Sequence, residues 1–194
     1  MKNNLGYTLA VVASIFVGAN GAMAEEPHEA PIRDIIKLDV REWMKDPLVI
    51  AAIKAQNEKT SGMSEDVILK MDKQWRAETK ADKKPLIDGI AGNALSAFLK
   101  EKQAESGELI SEMFVMDAIG LNVGMSNQTS DYWQGDEAKW QKSFLVGKDA
   151  IFIDEAEIDD STSTLQAQAS ISIVDPDSGK VIGAVTLGFN LDAL

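Results

Sequence analysis

The sequence predicts an α+β fold, a five-stranded antiparallel sheet with a long N-terminal helical segment packed on one face. Three observations predict it. From Glu25 to Gly107 apolar residues recur at helical spacing, beyond Gly107 they alternate with polar ones, and Gly, Pro and Asp mark the joints between the alternating runs. Helices first and strands afterwards imply an antiparallel sheet, because parallel strands need a crossover helix between them.

In the helical part, Pro31 suits a first turn, and Ile32, Ile35, Ile36, Val40, Trp43 and Met44 form one stripe. Asp46-Pro47 restarts the helix, with Asp46 as the cap and Leu48, Val49, Ala52 and Ile53 continuing the apolar face. After a break at Ser61-Gly62, Ser64 with Glu65 and Asp66 begins a further helix whose buried residues are Val67, Ile68, Met71 and Trp75. Lys84-Pro85 opens a last one, through Leu86, Ile87, Ile90, Leu95, Phe98 and Leu99, ended by Gly107. His28, the only histidine, falls near the start of this part and is read as exposed and without a role.

In the sheet part, strands are predicted at Leu109–Asp117, Val123–Ser126, Ile151–Ile158, Leu165–Val174 and Lys180–Asn190, with a short helix at Asp136–Phe144. Asp175-Pro176-Asp177-Ser178-Gly179 suits the turn of a hairpin. On the third strand, alternation puts Ile151, Ile153, Glu155, Glu157 and Asp159 on one face and Phe152, Asp154, Ala156 and Ile158 on the other. On the fourth, Gln166, Gln168, Ser170 and Ser172 stand opposite Leu165, Ala167, Ala169, Ile171 and Ile173, so one face is core and the other is solvent or pocket. Asp159 and Gln168 are the ligand-site candidates that this alternation offers.

Composition narrows the function classes. Met1 to Ala24 reads as a secretory signal peptide: Lys2, an apolar run from Leu9 to Val17, then Ala22-Met23-Ala24 as a small-x-small cleavage site. The mature protein is then expected in the periplasm, residues 25–107 and 108–194 being the helical and sheet portions of a single domain. Loss of Lys2 leaves 18 of the 19 basic residues against 31 acidic ones. A polyanion does not suit nucleic acid or an anionic membrane. With no cysteine there is no thiol chemistry and no disulfide frame. No Gly-x-Ser-x-Gly elbow, phosphate loop or zinc motif appears, so neither an enzyme nor a cofactor or metal is called for.

Asp117 to Trp140, DAIGLNVGMSNQTSDYWQGDEAKW, is the stretch that points to a ligand. It sets Tyr132, Trp133 and Trp140 among short polar residues and glycines, and a small-molecule pocket needs such convergence of stacking area with orienting hydrogen bonds. The bland alternative is a turn and a helix whose Trp140 plugs the core.

Several stretches resemble the single Cache (PDC, PAS-like) periplasmic sensor domains, of the stand-alone type without a transmembrane or signalling module. They are Glu112-Met-Phe-Val-Met-Asp-Ala-Ile-Gly-Leu-Asn-Val-Gly124, Thr129-Ser-Asp-Tyr-Trp-Gln-Gly-Asp-Glu-Ala-Lys-Trp140, Asp159-Asp-Ser-Thr162 and Ile182-Gly-Ala-Val-Thr-Leu-Gly188. The resemblance implies a PAS-like sheet and a small-molecule pocket lined by the loop and short helix, with Tyr132, Trp133, Asp136 and Trp140 at it and Asp117 and Ser126 at the strand ends. It also implies a signalling role, in which a membrane receptor or sensor kinase reads the liganded state.

Asp131 and Asp136 flank Tyr132 and Trp133, and residues 149–160 hold six acids with no Lys or Arg. That charge favours an amine or amino acid over a dicarboxylate, with Asp136 as counter-ion, because carboxylates and aromatic faces both attract ammonium. The competing reading is a structural module that binds no ligand and forms a homodimer through its N-terminal helix, with Trp43 in the interface.

Overall fold

The computed structural model describes residues 26–158 and 164–194. The signal-peptide reading and Asp159 therefore lie outside the described residues. The α+β architecture and the antiparallel sheet expected from the sequence are both observed.

The N-terminal helix α1 (Glu29–Ile35) passes without interruption through a π-helical turn, Ile36–Val40, into α2 (Arg41–Trp43). Its buried residues Ile32, Ile36, Val40 and Met44 repeat every fourth position. At 3.6 residues per turn such a stripe drifts round the helix, and one wider π turn brings it back toward the core. Helix α3 (Pro47–Thr60) begins as predicted, with Pro47 in its first turn and the Asp46 carboxylate accepting from the Leu48 amide at 2.8 Å.

After α4 (Glu65–Glu78) the predicted single helix is two, α5 (Pro85–Ala91) and α6 (Ala94–Glu105). Gly92 ends the first, and Asn93 caps the second by accepting from the Ser96 amide at 2.8 Å.

Strands β1 (Ile110–Met116), β2 (Asn122–Met125), β3 (Ile151–Ile153), β4 (Glu157–Ile158), β5 (Leu165–Val174) and β6 (Val181–Asn190) form a sheet of order β2-β1-β6-β5-β3, with β4 also on β5. Among the described residues it has six strands rather than five because the predicted third strand is split. Ile153 lies opposite Ala169 but Glu157 opposite Gln166, so four steps on one side meet three on the other. The extra residue makes a bulge at residues 154–156, where the Asp154 carboxylate accepts from the Glu155 amide.

Helices cover both faces of the sheet rather than one. On one face α1, α3 and α6 bury Ile32, Ile36, Ile53 and Leu99 against Met113, Val115, Ala169, Ile171 and Phe189. On the other, Ile68 and Trp75 of α4 and Ile87 of α5 join Phe114 and Met116, the alternate residues of β1, together with Tyr132 and Trp140. Trp43, half-buried, packs on the first core, with Lys102 of α6 5.9 Å from its ring centroid.

Candidate functional site

The β1–β2 turn is organised by Asp117, which is fully buried. Its carboxylate accepts from the Ile119 and Leu121 amides, both at 2.9 Å, from Thr60 Oγ1 at 3.0 Å and from Gln56 Nε2 at 3.3 Å. Burial raises its pKa above the ordinary aspartate value, against the opposing pull of those four donors. Its carbonyl accepts from Trp140 Nε1 at 3.2 Å, which fastens the short helix α7 (Ala138–Gln141) to the turn. Gly120 permits the turn: its φ is +87°, and a Cβ there would lie 2.5 Å from the Gly135 nitrogen.

The rest of the loop is held from α4. Asp72, itself buried, accepts from the Tyr132 and Trp133 amides at 2.9 and 3.1 Å. Arg76, one turn on, bridges Asp72 at 2.7 Å and Asp131 at 2.8 Å. The Tyr132 ring stacks on Trp75 with centroids 5.2 Å apart, and burial, with the Asp117 charge adding to it, pushes its hydroxyl up to about 12. Trp133 Nε1 donates to the Ile119 carbonyl at 2.8 Å. Asp117, Asp131, Tyr132, Trp133 and Trp140 thus meet in one packed, internally bonded loop. Asp136 stands exposed beside it, where its charge helps to keep Arg76 protonated after that of Asp72 and Asp131. Ser126 is elsewhere, at the β2 end, accepting from the Met113 amide and donating to Asn127 Oδ1.

Next to this loop, under α7, lies a cavity of about 300 Å³ lined by Glu137, Lys139, Asp154, Glu155, Glu157, Gln166 and Gln168. Larger clefts of about 500 and 530 Å³ border α3, but neither joins the loop-helix stretch to the polar face of β5. Gln168 is the one described residue among the sequence candidates that lines the cavity. Its Nε2 donates to Glu112 Oε1 at 2.7 Å, and Ser111 Oγ donates to Gln166 Oε1 at 2.8 Å, so β1 orients both floor amides. Lys139 lies 2.9 Å from Glu137 and 5.7 Å from the Phe114 ring centroid. Trp140, stacked on Phe144 at 4.9 Å, faces the core and holds α7 in place over the sheet.

Sequence reasoning missed Arg76 and Asp72, which sit on α4 with no local signal of their partners. It also missed Glu137 and Lys139, although both fall within the DEAKW segment, and did not select Gln166, which shares a face with Gln168. Asp154, Glu155 and Glu157 all reach one cavity because the bulge breaks strict alternation. Chemically the cavity can hold charge and hydrogen-bond a small polar molecule. Among the described residues no group of three or more His, Cys, Asp or Glu side chains is arranged to hold a metal ion.

Neither a comparison with family models nor one with curated proteins returns a match. Solved structures do. The sensory domain of the Campylobacter jejuni chemoreceptor Tlp3 with isoleucine bound is similar at 13% identity and TM-score 0.38, over 83% of this chain and 61% of that one. The ligand-binding domain of the Pseudomonas aeruginosa amino acid chemoreceptor PctC in complex with GABA gives 13% and 0.40, over 84% and 62%. The sensor domain of the V. cholerae histidine kinase DctB gives 13% and 0.38, over 75% and 57%. These neighbours are sensory domains. The chain spans about three fifths of the length of each.

Proposed function

We propose that this protein is an exported, non-catalytic sensor domain that binds a small cationic molecule in the cavity under α7 and presents its liganded state to a membrane receptor or sensor kinase. The observation that carries this reading is the charge balance of the cavity wall. Among the described residues Lys139 is its one cation and is matched by Glu137, while no ion pair engages Asp154, Glu155 or Glu157. An ammonium group would find carboxylate acceptors there and the carbonyl oxygens of Gln166 and Gln168; a carboxylate would meet like charge. In this reading Glu155, Glu157 and Gln168 contact the ligand, and Asp117, Tyr132, Trp133 and Trp140 fix the loop and helix that close the cavity. The exposed carboxylate of Asp136 attracts the cation toward it, while Asp131 is buried and paired with Arg76.

Export rests on the segment Met1–Ala24; among the described residues no helix is long and apolar enough to cross a membrane. Native mass spectrometry of protein purified from cells without denaturation tests the reading, with Trp140→Ala beside the parent. A bound mass of one small amine is expected on the parent, and its loss in a variant that remains folded. A ligand-free parent unmoved in melting temperature by amines, amino acids and carboxylates alike would favour the structural module instead.

A further inference from the structure

We propose that the open sheet edge at β3 receives a basic, extended segment of a partner protein as an additional strand. Among the described residues β3 ends the sheet and pairs only with β5. The Asp154 amide donates to the Gln168 carbonyl at 2.8 Å, which fixes the phase of the ladder. In an antiparallel pair the hydrogen-bonding residues alternate, so Phe152 and Asp154 turn their peptide groups toward β5, and Ile151 and Ile153 turn theirs outward. An extended backbone is the complement of that outward row.

The surroundings specify the occupant. Residues 149–158 contain Asp149, Asp154, Glu155 and Glu157 with no Lys, Arg or Pro; although the Lys142 ammonium lies 4.4 Å from the Phe152 ring centroid, the strand itself carries none of the cations and prolines that commonly block strand addition. Apolar side chains flank it in the open: Leu145 is 63% and Val146 68% exposed before β3, and Ile158 is 70% exposed after it. A second copy of this chain is a poor occupant, since antiparallel pairing of β3 with itself would set the four carboxylates of one edge against the same four of the other. A segment alternating Lys or Arg with apolar residues meets the charge, the exposed side chains and the backbone together.

Hydrogen exchange on the purified chain tests this, with a synthetic peptide alternating Lys and Val and the same peptide carrying Glu for Lys. The Lys peptide should slow exchange of the Ile151 and Ile153 amides about tenfold at ten times its dissociation constant, and the Glu peptide should not. Ile153→Pro should keep the fold, because that amide has no partner in β5, and should remove the protection at Ile151. Glu155→Gln with Glu157→Gln, which leaves the ladder intact, should weaken protection and flatten its dependence on salt. Equal protection by both peptides, protection that survives Ile153→Pro, or no protection by the Lys peptide at millimolar concentration would overturn the proposal.

Discussion

Asp117 shows how much one side chain can hold. It joins α3, through Gln56 and Thr60, to the β1–β2 turn, and its carbonyl takes the Trp140 indole. Because its pKa is raised by burial, ionisation is less favourable in the folded protein than in the unfolded chain. The associated stability is fully present below the unfolded value near 3.8 and is lost as pH rises through the higher folded value. Asn at this position cannot titrate. The stability of the parent relative to Asp117→Asn should therefore fall as pH rises from the unfolded value near 3.8 through the higher folded value, which a series of melting temperatures measures. A constant difference would mean that Asp117 titrates normally. From sequence, Asp117 stands out as a polar residue at a strand end; that it serves the turn depends on donors nearly sixty positions away in α3, which no local pattern reveals.

The elements were legible where their periodicity is long and uninterrupted. β5 spans the predicted residues, and β6 and α3 follow their apolar patterns and caps. The misses have local causes: the Asn93 cap divides one predicted helix, and the bulge at 154–156 divides one predicted strand. That bulge matters most, since a one-residue shift changes which carboxylates reach the cavity.

Helix α5 carries a device invisible to capping rules. Lys84 at its N-cap makes no side-chain cap, and Glu78, the last residue of α4, accepts instead from the Leu86 and Ile87 amides at 2.8 and 3.1 Å. Burial alone would raise the pKa of Glu78, but the bonds from Gln74, Ile87 and Leu86 prevail and hold it below the ordinary 4.5. Its contribution is thus present above 4.5 and lost as pH falls through the lower folded value. Glu78→Ala should cost about 1–3 kcal/mol in denaturant unfolding at neutral pH, with the deficit shrinking in acid. A loss that does not vary with pH would assign the cost to packing alone.

At the scale of the whole molecule, the switch from helical to alternating period was enough to place helices before an antiparallel sheet, and that order is observed. The two-sided covering of the sheet was not legible, because a helical stripe shows that a face is buried without showing against what. The same limit applies to the site. Aromatic residues in a glycine-rich loop suggest a pocket, but their indoles and phenol are spent on stacking and on backbone carbonyls, while the polar cavity beside them is built from residues distant in sequence. Ligand binding, as proposed, depends on the carboxylates of that cavity. Calorimetric titration of the purified chain with 1,4-diaminobutane and with succinate, repeated on Glu155→Gln with Glu157→Gln, tests it most directly. The diamine should bind and succinate should not, and the double variant should weaken the diamine by about tenfold or more, roughly 1.4 kcal/mol. Binding of succinate alone, or of the diamine undiminished in the double variant, would contradict the account.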